Sequence, residues 1–178
     1  KKEVVQHFYH KDTSVPIWAI FEVLTLGEFG NFYSCLSYGV RREVSIKLGF
    51  HQPSDSDAFL TKKIIFAIKE LRNAVAHNDV IFDTRFSRSS IDKSLSSSLE
   101  IVTGIKSITF KSITDYIILV VYLLKCFGVP KGDMRRFVAE FQDNIETLRK
   151  QIPTSLFARI VLTDTRPKLK SLQEYIRK

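Results

Sequence analysis

Sulfur is scarce in this chain: 178 residues hold two cysteines, Cys35 and Cys126, and a single methionine, Met134. Two cysteines make neither a disulfide framework nor a paired-cysteine metal motif, so a reduced compartment is the simpler reading. Because Met134 is the only methionine, Lys1 does not read as a natural start, and the chain reads as a fragment or a processed form. Long apolar runs are lacking too. The longest, Ile117 to Leu124, covers eight residues, against the ~20 that a membrane-spanning helix requires. With no signal-peptide pattern at the visible start, the expectation is a soluble, cytoplasmic protein with no membrane partner. A Gly-rich phosphate loop, a Ser/His/Asp order and an internal repeat are also missing, which removes the usual nucleotide-binding, hydrolase and solenoid readings.

Acidic residues are outnumbered, 19 to 27, giving a formal charge of +8 and a pI near 9.5. Lysine and arginine gain affinity for a phosphate backbone by releasing its counterions, so a polyanion such as RNA is the favoured partner class. The charge supports a motif and does not replace one. Hydrophobic residues at 44% and aromatics at 12%, with Phe dominant at 14, indicate one domain over 1–178 with a substantial core.

Helical periodicity dominates the chain. Asp12-Thr13-Ser14 offers caps ahead of Pro16, and the apolar residues from Ile17 to Leu26 wrap most of a helix expected to be buried on more than one side. Glu22 stands out there, and either faces water or pairs with Arg72 or Arg85. Gly27 and Gly30 mark a close backbone approach in a short helix, and Arg41 to Leu48 forms another. Ser87 to Ser98 holds seven serines in twelve residues and reads as a mobile loop. Residues 101–112 carry β-favouring side chains and suggest one short irregular or strand-like segment. Ile113 to Phe127 is the most apolar helix and the expected centre of the core, followed by helices over Met134 to Gln151, Pro153 to Leu162 and from Pro167 onward.

The stretch that organises the rest is Ile64 to Arg85. Ile64, Ile65, Ala67, Ile68, Leu71, Val75 and Ala76 form a helical core stripe, and Asp55 to Asp57 supplies its start signal. Among these residues lie Arg72, Asn73 and His77. Arg72 and His77, five apart, are separated by about 140° around a helix, whereas Asn73 and His77, four apart, share a face. Asn78-Asp79 ends the helix, so His77 belongs to its last turn, where the helix dipole favours an imidazolium near neutral pH. A guanidinium beside a titratable imidazole makes a phosphate site. His77 can take the proton from an RNA 2′-hydroxyl or give one to the leaving oxygen, while Arg72 neutralises the phosphoryl charge, with no metal and no cofactor. Arg85 offers either a second phosphate contact or a structural ion pair. His7 and His10 have metal-compatible spacing but no convincing third ligand, and read as a solvated helix end.

Arg72-Asn73-Ala74-Val75-Ala76-His77 resembles the ribonuclease signature of the HEPN superfamily: an arginine, a polar residue and a histidine four to six residues beyond the arginine. Val15-Pro16-Ile17-Trp18, Glu22, Leu26-Gly27, the LRNAVAHN stretch and Arg85 together are similar to Abi-like abortive-infection proteins of the AbiD/AbiF group. The resemblance runs from about Pro16 to Arg85. It implies an all-α, HEPN-like helical bundle lacking an N-terminal helical region. It also implies a bacterial metal-independent endoribonuclease of phage defence (abortive infection) or a toxin–antitoxin system, acting as a homodimer in which two Arg/His sets meet. An antitoxin or regulatory RNA is a further implied partner. Arg72, His77 and Asn73 then carry the chemistry, with Asn78, Arg85 and Glu22 binding substrate or supporting. A non-catalytic HEPN-type module that binds RNA or protein is the alternative. The superfamily's acidic residue three or four places ahead of the motif arginine has no match here, since those places hold Lys69 and Ile68, with Glu70 one step nearer.

Overall fold

The computed structural model describes residues 2–11, 14–76, 86 and 91–178. Its helices are α1 (Lys2–His10), α2 (Ile17–Val23), α3 (Leu26–Cys35), α4 (Tyr38–Lys47), α5 (Leu60–Ala76), α6 (Lys93–Thr103), α7 (Ile113–Cys126), α8 (Lys131–Gln151), α9 (Thr154–Ile160) and α10 (Thr165–Arg177). No strand occurs among the described residues, as an all-α bundle requires. Nine of the 14 residues of α7 are buried, including Tyr116, Ile118 and Leu119, so this helix is enclosed by its neighbours as its apolar run foretold. Helices α5, α6, α8 and α10 pack on it, α3 lies along α5, and α1 lies on α2.

The motif helix α5 starts where two carboxylates end the preceding loop. Asp55 Oδ1 accepts from the Leu60 N–H at 3.0 Å, and Asp57 Oδ1 from the Phe59 N–H at 3.1 Å, satisfying donors that a first turn leaves open. Leu60, Ile64, Ala67 and Ala74 are buried, and Ile68 and Leu71 pack against the core. Val75 and Ala76, expected in the stripe, are exposed, Val75 by 58%. The buried face passes through Ala74, and a residue one step later is turned by about 100° away from it.

Two further expectations are corrected, and a third, the irregular or strand-like segment over 101–112, is met as an irregular one over part of its range. Helix α2 is not buried on several sides: Ala19 alone is buried, while Ile17 and Trp18 are 62% and 53% exposed. Its neighbours are few. Trp18 meets Phe8 edge-on with centroids 5.7 Å apart, and Phe21 meets Phe29 and Phe32 at 5.9 and 5.8 Å.

The serine-rich stretch is not a loop from Lys93 onward. Residues 93–98 are the first part of α6, begun by Asp92, whose Oδ1 accepts from the Ser94 N–H at 2.8 Å. Leu95 and Leu99 are both buried, each burial contributing about 1.5–3 kcal/mol. Together they outweigh about 0.5 kcal/mol of poor helix propensity from each of Ser94, Ser96, Ser97 and Ser98. Residues 87–90 of that stretch lie outside the described residues.

The β-favouring segment is helical as far as Thr103, and Gly104 then ends α6 in the left-handed region (φ 74°). Residues 104–112 are irregular, and several of their backbone donors go to side-chain oxygens instead of a ladder. The N–H groups of Thr109 and Phe110 both donate to Asp115 Oδ2 at 2.9 Å. Asp115 is wholly buried, and its other oxygen accepts from Lys168 Nζ at 2.7 Å, joining the segment to α7 and α10.

Candidate functional site

Arg72 and Asn73 stand on the part of α5 that faces away from the core. Arg72 is exposed and Asn73 half-buried, and Arg72 Nη1 donates to Asn73 Oδ1 at 3.2 Å. Neighbouring residues on a helix diverge by about 100°, so this bond bends both side chains toward one spot. Among the described residues Arg72 pairs with no carboxylate. Glu22 is exposed on α2 and pairs with no described cation, Arg72 included; its other expected partner, Arg85, is not among the described residues. His77, Asn78 and Arg85 lie outside the described residues.

The spot is one wall of a cleft of about 490 Å³. Lys69, Arg72 and Asn73 form that wall, and Leu24–Gly27, the turn between α2 and α3 with the first two residues of α3, forms the other. Two local features set the turn in place. Thr25 caps α3: its Oγ1 accepts from the Glu28 N–H at 3.2 Å, and Glu28 Oε2 accepts from the Thr25 N–H at 2.7 Å. This reciprocal pair consumes donors that would otherwise face the cleft. The second feature is Gly30. A Cβ there would meet Phe66 Cε2 at 2.7 Å, so only glycine lets α3 lie this close to α5.

Lys69 was missed as a cleft residue by sequence reasoning, which weighed its position only for a carboxylate. Its signal is plain in retrospect: it precedes Arg72 by three residues, and such pairs share a helix face. Thr25 and Glu28, also missed, carry the capping-box pattern. The Leu24–Gly27 wall has no local signal, since its apposition to α5 is a tertiary relation.

A larger cavity lies elsewhere. About 590 Å³ opens among α8, α9 and α10, lined by side chains such as Ile145, Phe157 and Leu169, with the Glu146–Arg166 pair at 2.6 Å. None of its lining residues comes from α5, and it holds neither histidine nor cysteine. Among the described residues no set of three or more His, Cys, Asp or Glu side chains is grouped to hold a metal, and His7 and His10 are exposed on α1. No described helix is long and apolar enough to cross a membrane.

Residues 1–83 match the family model described as Abi-like protein. Neither a curated protein nor a solved structure matches the chain. The matched stretch takes in α1 to α5 and therefore both walls of the cleft, while α6 to α10 lie beyond it. Residues 1–83, which hold the cleft and the Arg72–Asn73 pair, are thus similar to the Abi-like family.

Proposed function

We propose that this chain serves abortive-infection phage defence, or a toxin–antitoxin system, as a metal-independent endoribonuclease of HEPN type. The Abi-like match supports the defence setting. The observation that carries the chemical reading is Arg72: an exposed guanidinium without a described carboxylate partner, turned toward Asn73 at a cleft edge that also holds Lys69. A cation left open in this way suits an anion supplied from outside.

In the proposed reaction His77 accepts the proton of an RNA 2′-hydroxyl as that oxygen attacks the adjacent phosphorus. The bond from phosphorus to the 5′-oxygen breaks, and the departing oxygen takes a proton from an acid. The products are a 2′,3′-cyclic phosphate and a 5′-hydroxyl, so atoms and charge balance without a co-reactant. Arg72 stabilises charge growing on the phosphoryl oxygens. Asn73, by its bond to Arg72, orients the guanidinium.

One Arg72/His77 set supplies one proton-transfer group where cleavage uses two, so the active species is a homodimer that brings two sets together. The apolar side chains Ile17, Trp18 and Phe21, exposed on α2 just ahead of the cleft turn, suit such an association. Light scattering at assay concentrations checks it, and a fully active monomer rules it out.

The deciding experiment is cleavage of mixed cellular RNA in the presence of a chelator. Wild type should produce new ends with cyclic phosphates, and His77→Ala should lose at least the ~100-fold that a general acid or base contributes. RNA retained without new ends would instead make the chain a non-catalytic binding module.

A further inference from the structure

The wall that carries Arg72 holds a second cation in a suitable position. Lys69 and Arg72 are three residues apart on α5 and both line the 490 Å³ cleft. Such pairs have Cβ atoms about 5–6 Å apart on one helix face. The cleft lies within the ~300–1,000 Å³ typical of small-ligand sites, so it admits a nucleotide-sized group.

The Lys69 stem is held and its charge is only weakly engaged. Its Nζ sits 5.4 Å from the Phe66 ring centroid. On the cleft's other wall, Gly27 leaves room for it: a Cβ there would stand 3.6 Å from Lys69 Cδ and 4.0 Å from Nζ, in ordinary contact. The only described ion pair of Lys69 is with its chain neighbour Glu70 at 3.5 Å, with both side chains a third or more exposed. Pairs of this kind contribute little and are screened by salt. The other carboxylate near the turn, Glu28, is engaged in capping α3. Among the described residues two cations therefore line the cleft, and the one ion pair either makes is the weak pair of Lys69 with Glu70.

We propose that Lys69 is a positioning residue that binds an RNA phosphate neighbouring the one held by Arg72, setting the strand's register in the cleft. The inference rests on the ribonuclease reading above. A flexible ammonium with a packed stem suits this task, since it gives a point charge without demanding one geometry. Lys69 touches no reacting atom in this scheme, so it acts on binding rather than on the chemical step.

The test uses the full chain and a fluorescent single-stranded RNA of mixed sequence. Binding is measured over a series of salt concentrations for wild type, Lys69→Ala and Lys69→Arg, with thermal melts as a folding control. For Lys69→Ala the slope of log affinity against log salt should fall in magnitude by about 0.7, the value of one lost single-strand phosphate contact. The loss should be similar for unrelated RNA sequences, because a phosphate contact carries no base information. Cleavage should show a raised KM with kcat nearly unchanged, and Lys69→Arg should keep the wild-type slope.

Wild type that binds and cleaves RNA, with an unchanged slope and KM in Lys69→Ala, overturns the role of Lys69 and leaves the ribonuclease reading standing. Wild type that neither binds nor cleaves RNA overturns both. If Lys69→Ala melts early, Lys69→Gln, which keeps most of the stem, is measured in its place and judged by the same slope.

Discussion

Gly30 and Phe66 are in such close apposition that a Cβ on the glycine would stand 2.7 Å from the ring, and this contact sets the distance between the two helices that form the cleft. Gly30→Ala gains about 1 kcal/mol of helix propensity but overpacks the contact, which costs about 1–3 kcal/mol. Overpacking should win because the ring is partly buried and α3 lies along α5. Urea unfolding should show a net loss, and Phe66→Leu added to Gly30→Ala should recover part of it. A Gly30→Ala variant as stable as wild type would mean the ring yields freely.

Asp115 and Lys168 form a buried ion pair in which the carboxylate also accepts from Thr109 and Phe110. Asp115→Ala leaves the buried ammonium with Asp164 alone and takes the acceptor from the Thr109 and Phe110 N–H groups, so it should lose about 3 kcal/mol, the low end for breaking a buried pair. Lys168→Met should lose less, since the carboxylate keeps its backbone donors. Burial opposes charge on Lys168, yet the hydrogen bonds its ammonium donates to Asp115 and Asp164 outweigh it and raise its pKa. A raised folded pKa contributes stability in full below the unfolded value of about 10.4 and loses it as pH climbs through the folded value. Wild type should therefore weaken above that pH in denaturation at graded alkaline pH, while Lys168→Met lacks this component.

Asp92 starts α6, and its pKa is lowered chiefly by the Ser94 backbone N–H and then the Ser94 hydroxyl, with Lys63 adding to them against burial. Asp92→Ala should cost about 1 kcal/mol at neutral pH, as loss of an N-cap usually does. A depressed folded pKa contributes stability above the unfolded value of about 3.9, and that contribution fades as pH falls through the folded value. The gap between wild type and variant should shrink in acid; a gap constant from pH 7 to pH 3 would assign the effect to packing.

Arg72→Lys keeps the charge but loses the planar fork and the bond to Asn73 Oδ1. If the fork holds phosphate, kcat/KM should fall by on the order of 10- to 100-fold, approaching the loss of one preorganised donor. Near-normal cleavage by the Lys variant would leave charge alone as the requirement.

Local elements, and the Arg72-Asn73 pair on one of them, were legible along the chain. The apolar run of Ile117 to Leu124 made α7 a core helix, Asp55 and Asp57 marked the start of α5, and Arg72-Asn73 appeared with its spacing. Such signals depend on residues within one or two turns of each other, so they can be read along the chain. Tertiary structure decided which faces are covered. Leu95 and Leu99 found a core and turned a serine-rich stretch into α6, while the equally apolar α2 met few neighbours and kept Ile17 and Trp18 in water. It also decided that the Leu24–Gly27 turn lies against Lys69, Arg72 and Asn73. Burial is a property of pairs of surfaces distant in the chain, and no periodicity within one segment states what the other segment will be.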